Sequence, residues 1–99
     1  MRLEILQVPG CPNAAVLEAR LAQLLADRPD IRVGSQLVVC QADAERLGMS
    51  GSPTLLADGV DPFAHPGQPP SISCRLYLDE HGHPAPAPSP TQLRDALSL

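Results

Sequence analysis

The first half of the chain alternates between short apolar runs and helical spacings. The run LEILQV (residues 3–8) ends at Pro9-Gly10, which predicts a strand followed by a turn. Apolar residues then recur every three or four positions, as on one face of a helix, and Pro12 suits its first turn. The residues predicted to form the buried face of this helix are Ala14, Leu17, Leu21, Leu24 and Leu25.

Four further elements follow before the proline-rich end of the chain. Residues 31–40 predict one strand, with its centre at LVV (residues 37–39). The segment 42–47 predicts a short helix, because Gly48 suits the left-handed position after a helix. The runs TLLA (54–57) and CRLYL (74–78) predict two more strands, separated by a loop.

The last seventeen residues predict a linker and a terminal helix. HPAPAPSP (83–90) is typical of an extended linker of polyproline character. Ser89 is placed to cap the helix that follows, with Gln92 completing a capping box. The apolar face of this helix is predicted to be Leu93, Ala96 and Leu97.

The predicted order of elements is β-α-β-α-β-β-α in one domain spanning residues 1–99. The strand–helix–strand start implies a parallel pair of strands with a right-handed crossover. The two later strands are expected to pair as an antiparallel hairpin. The fold class predicted is therefore α/β, with a four-stranded mixed sheet flanked by helices.

Composition narrows the function classes. The formal net charge is −4, no basic run is present, and only 2% of residues are aromatic, so the chain lacks the features of a nucleic-acid-binding surface. No apolar stretch approaches the length of a membrane span. The start, MRLEILQV, carries a glutamate and is too short for a signal peptide, which predicts a cytoplasmic protein without membrane or nucleic-acid partners.

Cys11 lies where the first predicted strand gives way to the first predicted helix. Free N–H groups and the helix dipole meet at that point, and both favour a thiolate over a thiol. The thiolate is the form that attacks disulfides and binds metals, so we predict that Cys11 is reactive. The alternative is a partly buried cysteine that only fills the turn.

The other two cysteines lie in different settings. Cys40 follows LVV and is predicted to be a small buried hydrophobic residue. Cys74 begins the fourth predicted strand. In a simple hairpin it would lie opposite the far end of the third strand, beyond the ~7 Å between Cα atoms that a disulfide near Pro53 would require. The proline-rich loop before Cys74 leaves room for a different register.

Three histidines, in loops at His65, His81 and His83, show no zinc-finger spacing, and we predict solvated surface there rather than a metal site. The alternative is a soft-metal site formed by Cys11, Cys74 and one histidine. The single phenylalanine lies in the loop at Phe63, where we predict that it packs into the core.

The order of elements, CPNA at residues 11–14 and RLGMSGSPTLLADG about 35 residues later together resemble the thioredoxin superfamily. The resemblance implies a thioredoxin-like fold and a nucleophilic role for Cys11. It also implies that Pro53 is a cis-proline facing that cysteine and that Ser52 tunes the contact with a bound thiol partner. Pro12 and Asn13 would set the turn and its exposure. More narrowly, CPNA, GSPTLLADGVDPFA and SCRLY resemble small bacterial thioredoxin-like proteins, some of them with names linked to alkylmercury lyase.

One departure from the family pattern changes the expected mechanism. Ala14 stands where a CxxC motif has its second cysteine, so a dithiol cycle within the motif is excluded. Three options remain: resolution by glutathione or another small thiol, as in monothiol glutaredoxins; resolution by a distant cysteine, with Cys74 the expected partner; or no redox activity at all. No resident cofactor or metal is expected, and glutathione would be a co-substrate.

The resemblance therefore implies a thiol–disulfide oxidoreductase of monothiol type that acts on protein or small-molecule thiols and disulfides. Cys11 and Cys74 are its candidate catalytic residues, and Pro12, Asn13, Ser52 and Pro53 its candidate substrate-binding residues. Two alternatives stay open. One is a module that binds a soft metal or an organomercurial through Cys11 together with Cys74 or a small thiol. The other is a non-catalytic adaptor with the same fold.

Overall fold

Three helices and seven short strands form the fold in a computed structural model that describes all residues from 1 to 99. None of the helices has both the length and the apolar character needed to cross a membrane. The helices are α1 (Pro12–Leu24), α2 (Gln41–Leu47) and α3 (Pro90–Ala96). The strands are β1 (Arg2–Gln7), β2 (Arg32–Leu37), β3 (Ser50–Ser52), β4 (Thr54–Ala57), β5 (Ser71–Cys74), β6 (Tyr77–Leu78) and β7 (Pro84–Ala85).

The central sheet is mixed and has three strands in the order β2-β1-β4. β1 pairs with β2 in parallel and with β4 in antiparallel orientation, so that Ile5 lies between Ser35 and Leu55. The parallel pair is joined through α1, which confirms the predicted strand–helix–strand start. The sheet and the three helices confirm an α/β fold.

Two apolar cores lie on opposite sides of β1, because successive side chains of a strand face opposite ways. Leu3 and Ile5 are fully buried against α1 and α3, whereas Leu6 is buried against α2. The buried members of the larger core are Leu3, Ile5, Leu17, Leu21, Leu25, Ile31, Leu55, Ala87, Leu93 and Leu97. Those of the smaller core are Leu6, Val38, Ala44 and Met49.

The second strand is shorter than predicted. β2 ends at Leu37, whose exposed fraction is 60%, and Val39 is 66% exposed, so this apolar run is not the centre of a buried strand. The N–H of Val38 still donates to the carbonyl of Gln7. Among residues 37–39, only Val38 is buried in the smaller core against α2. Since β2 is an edge strand, its apolar residues have a neighbour on one side only.

The predicted four-stranded sheet and hairpin are wrong. CRLYL does not form one strand: β5 ends at Cys74 and pairs with β3 in parallel, whereas β6 pairs with β7 in antiparallel orientation. The physical reason is Arg75, which turns inward and forms a buried ion pair, so the run cannot continue along the edge of the central sheet. The predicted linker at 83–90 accordingly contains a strand.

Several local predictions are confirmed. α2 is followed by Gly48 in the left-handed conformation, with a φ of 82°, and β4 covers the predicted residues 54–57. Ser89 and Gln92 form the predicted capping box at the start of α3. On that helix Ala96 is exposed, while the predicted face is otherwise buried.

The segment before α3 is fixed to α1 by one side chain. The guanidinium of Arg20 donates hydrogen bonds of 3.0 Å to the carbonyl oxygens of both Ala87 and Pro88. Both of these residues are buried. The proline-rich stretch therefore lies against the body of the protein along its second half.

Candidate functional site

Cys11 is the residue at which α1 begins. Gly10, with a φ of 72°, turns the chain after β1, and the N–H of Cys11 donates to the carbonyl of Val8 at 3.3 Å. Pro12 occupies the first turn, as predicted. The thiol is half-buried, is not in a disulfide and makes no capping hydrogen bond. It therefore lies at the end of a thirteen-residue helix where backbone N–H groups stabilise negative charge.

The Ser52-Pro53 bond is cis. Ser52 is buried, with an exposed fraction of 1%, and its hydroxyl accepts a hydrogen bond of 3.1 Å from the N–H of Val8. Val8 is the same residue whose carbonyl bonds to Cys11. The serine–proline loop is thus tied to the turn that carries the thiol.

Cys74 lies beside Ser52, contrary to the hairpin prediction. β5 pairs with β3 in a register that places Cys74 directly opposite Ser52, and the N–H of Arg75 donates to the carbonyl of Ser52 at 3.0 Å. The prediction failed because it assumed pairing with β4, which would have moved Cys74 several residues away. Ser52 consequently contacts the turn of Cys11 through its hydroxyl and the strand of Cys74 through its backbone.

A cleft of about 360 Å³ joins the start of α1 to the end of β5. Asn13, two residues after Cys11, forms one wall, and Cys74 forms another. The thiol of Cys74 is exposed and unpaired. The residues that line the cleft are Asn13, Cys74, Arg75, Leu76, Pro84, Ala85 and Pro86. The structure thus brings one of the predicted substrate-binding residues and the predicted second thiol to one surface.

Beneath this cleft lies a buried ion pair. The guanidinium of Arg75 contacts the carboxylate of Asp61 at 2.7 Å, and the exposed fractions of the two side chains are 2% and 10%. The same guanidinium donates to the carbonyl of Phe63 at 2.8 Å and to the hydroxyl of Thr54 at 3.3 Å. Every polar contact of this arginine is therefore made within the protein.

Tyr77 supports the serine–proline loop from the same side. Its hydroxyl donates a hydrogen bond of 2.6 Å to the carbonyl of Pro53, and its ring lies 4.7 Å below the guanidinium of Arg75. Phe63 packs edge-on against the ring of Tyr77 and against the larger core, as predicted for it. Burial raises the pKa of Tyr77, since the phenolate would lose its hydration there.

Gly51 lets β3 approach Arg75 closely. It has a φ of 98°, and a Cβ atom at this position would lie 2.8 Å from the Cβ of Arg75. A side chain is excluded by both the backbone conformation and the contact. Gly51 is therefore part of the site, although it carries no chemistry.

Cys40 is placed differently from the prediction. It is exposed, not buried, and it is the residue before the first turn of α2. The cause is the early end of β2, after which only Val38 faces the core. Cys40 is thus a second thiol at a helix start, but no residue of the serine–proline loop forms a backbone hydrogen bond with it.

The three histidines are exposed. The carboxylate of Asp79 accepts backbone N–H bonds of 2.9 Å from His81 and His83, and these bonds lower the pKa of Asp79. No group of three or more histidine, cysteine or carboxylate side chains is arranged to hold a metal ion.

Asp61, Arg75 and Tyr77 were missed by sequence reasoning. The ion pair joins residues fourteen positions apart, in a loop and at the end of a strand, so no periodicity connects them. One signal was available, because an arginine inside the apolar run CRLYL is expected either to face solvent or to find a buried partner.

No family model, curated protein or solved structure matches this chain.

Proposed function

We propose that this protein is a thioredoxin-like thiol–disulfide oxidoreductase that uses Cys11 as its nucleophile. The proposal is supported by the position of this thiol at the start of α1, by the buried Ser52-Pro53 loop that is hydrogen-bonded to the same turn, and by the second thiol, Cys74, which lies opposite Ser52. The substrate class is the disulfide of a protein or a small molecule.

The reaction begins with exchange at Cys11. Its thiolate attacks one sulfur of the substrate disulfide, a mixed disulfide forms, and the other sulfur leaves as a thiolate. A second thiol then attacks the sulfur of Cys11, which forms a new disulfide with Cys11 and releases the substrate as a thiolate. The oxidising equivalents of the substrate pass to that second thiol, and the leaving thiolate takes up a proton.

One observation favours Cys74 as the second thiol. Cys74 lies opposite Ser52, and the hydroxyl of Ser52 is bonded to Val8 in the turn of Cys11. With Ala14 at the position of a CxxC resolving cysteine, Cys74 supplies a thiol from another strand. Attack by Cys74 would release the reduced substrate and leave a Cys11–Cys74 disulfide, which an external thiol would reduce.

The predicted substrate-binding residues divide into two groups in this proposal. Asn13 lines the cleft and is placed to contact a substrate, and Pro12 is exposed beside it. Ser52 and Pro53 are buried, and the carbonyl of Ser52 is already bonded to Arg75. Their contribution is to hold the two thiols on either side of the loop.

The test is the order in which the three thiols react. The native protein is treated with a limiting amount of iodoacetamide at neutral pH, and each cysteine is followed by mass spectrometry. Exposure alone would make Cys40 and Cys74 react before the half-buried Cys11. The proposal expects Cys11 to react first. Cys40 is the matched control, because it also stands at a helix start.

An order that follows exposure would remove the basis for the proposal. A second arm uses a disulfide substrate in place of iodoacetamide. The native protein should form a mixed disulfide at Cys11 and then lose it, whereas Cys74→Ser should retain it. Cys11→Ser should form none.

A soft-metal-binding module is the second candidate, and the same pair of thiols favours it. Thiolates select soft metals, and binding would release protons and raise stability. Cu(I) should then raise the unfolding temperature of the native protein but not that of Cys11→Ser or Cys74→Ser. An oxidoreductase without such a site would show no difference among the three.

A further inference from the structure

We propose that Asp61, Arg75 and Tyr77 are positioning residues that hold Cys74 beside Ser52 and thereby set the rate at which Cys74 resolves a mixed disulfide on Cys11. This inference rests on the proposed function. The three residues have no redox chemistry of their own, but they would control the rate at which Cys74 attacks the mixed disulfide.

The strand that carries Cys74 is weakly held by its own pairing. β5 has four residues and pairs only with the three-residue β3, at Ser50 with Ser71 and at Ser52 with Cys74. The register shifts between these two pairs. Two-stranded pairs of this length are marginal in water. The position of Cys74 must therefore be fixed by contacts outside the pair.

Arg75 supplies those contacts at the next residue. Its side chain is 2% exposed and bonds to Asp61, to the carbonyl of Phe63 and to the hydroxyl of Thr54. Its backbone N–H bonds to Ser52. Moving Cys74 away from Ser52 would pull this guanidinium from its partners, and an unpaired buried charge is strongly unfavourable.

Tyr77 acts on the next residue of the same loop. Its hydroxyl holds the carbonyl of Pro53 at 2.6 Å. Arg75 and Tyr77 are both buried, whereas Cys74, Leu76 and Leu78 between and around them are exposed. The inward residues therefore anchor the segment while the thiol of Cys74 remains on the surface that faces the cleft.

The reaction step depends on this arrangement. The thiolate of Cys74 attacks the Cys11 sulfur of the Cys11–S–S–R mixed disulfide, the new bond joins Cys11 to Cys74, and R–S⁻ leaves and takes up a proton. Attack within one molecule is fast only when the reacting atoms are held near the productive geometry. Loosening the anchors should slow this step and leave the first attack by Cys11 unchanged.

The experiment uses dithiodipyridine, whose thiopyridone leaving group is coloured. Added in equal amount to the reduced protein with Cys40→Ser, it should release one equivalent of thiopyridone when Cys11 attacks and a second when Cys74 closes the disulfide. The second phase should be independent of protein concentration. Cys74→Ser should show the first phase only.

Three variants separate positioning from general stability. Asp61→Asn removes the ion pair, and Tyr77→Phe removes one hydroxyl group and keeps the ring, so the second variant carries the test if the first fails to fold. Leu25→Ala lowers stability at the far end of α1 from Cys11. We expect the second phase to slow by about tenfold or more in Asp61→Asn and by roughly threefold in Tyr77→Phe. It should be unchanged in Leu25→Ala.

The outcomes distinguish failure of the positioning role from failure of the proposed oxidoreductase function. An unchanged second phase in the folded anchor variants, or equal slowing in Leu25→Ala, would overturn the positioning role and leave the oxidoreductase intact. A native protein with a first phase at Cys11 and no second phase would overturn it as well, because Cys74 would then resolve nothing. Loss of the rapid first phase would refute the proposed function itself.

Discussion

The hydroxyl of Tyr77 donates a hydrogen bond of 2.6 Å to the carbonyl of Pro53, 24 residues earlier in the chain. Both groups are buried, so neither can exchange this partner for water. The bond joins β6, which is outside the central sheet, to the residue that directly precedes β4, which is inside it. Tyr77 thus links the outer strands to the loop on which the candidate site depends.

Replacing Tyr77 with phenylalanine should lower the free energy of unfolding. The carbonyl of Pro53 would lose its donor while the ring keeps its packing against Phe63 and Arg75. A loss of about 1–3 kcal/mol is expected, since a buried acceptor is left unsatisfied. Urea denaturation measures it. A loss below about 0.5 kcal/mol would mean that water reaches Pro53.

The same tyrosine should make stability fall at alkaline pH. Burial raises the pKa of Tyr77 above its ordinary value of 10.0, so above pH 10 the unfolded chain has lost a proton that the folded protein keeps. The free energy of unfolding should then decrease by up to about 1.4 kcal/mol per pH unit, until the folded-state pKa is reached. Below pH 10 this contribution is fully present. Tyr77→Phe should remove this part of the alkaline slope, and an unchanged slope would assign it to other groups.

Replacing Asp61 with leucine should be among the more damaging single changes. It leaves Arg75 buried without its counter-charge, and an effect of about 3–5 kcal/mol is expected. Adding Arg75→Met removes the unpaired charge, so the double variant should be more stable than Asp61→Leu alone. Chemical denaturation of the single and double variants provides the test. The exposed pair of Arg46 and Asp43 is the control, and Asp43→Ala there should change stability by less than about 1 kcal/mol.

Alanine substitutions at two glycines distinguish the cost of a steric clash from the cost of backbone strain. Gly51 and Gly67 both have positive φ, but only Gly51 would place a Cβ against Arg75, at 2.8 Å. Gly67→Ala should lower stability by about 1–2 kcal/mol through backbone strain alone. Gly51→Ala should cost about 2–4 kcal/mol, because displacement of Arg75 is added. Thermal or urea unfolding measures both losses. If the two variants lost the same stability, Arg75 would be shown to move away from the new methyl group at no energetic cost.

Elements fixed by neighbouring residues were predictable from the sequence. The end of α2 at Gly48, the strand 54–57 and the capping box of Ser89 depend on signals within a few positions. The position of Cys11 between a strand and a helix follows from the same kind of signal, since an apolar run, Pro9-Gly10 and a helical spacing adjoin one another.

Pairings between distant segments were not predictable in the same way. β3 has the sequence SGS, without apolar alternation, and its partner β5 begins only after the loop that follows β4. The register that brings Cys74 to Ser52 occurs together with the burial of Arg75 against Asp61, a contact between segments that are distant in sequence. The buried or exposed state of Cys40 likewise depended on where β2 ended.

The loop between β4 and β5 divides the chain into two segments that are interleaved in space. Residues 64–67 are exposed, whereas Asp61 before them and Arg75 after them are joined across the gap, and α3 packs on α1. Exposed loop tips are the preferred sites of proteolytic cleavage. A protease that cuts near Gly67 should therefore leave two fragments that copurify as one particle. The protein would then exist as a noncovalent heterodimer, with one thiol of the proposed pair on each fragment.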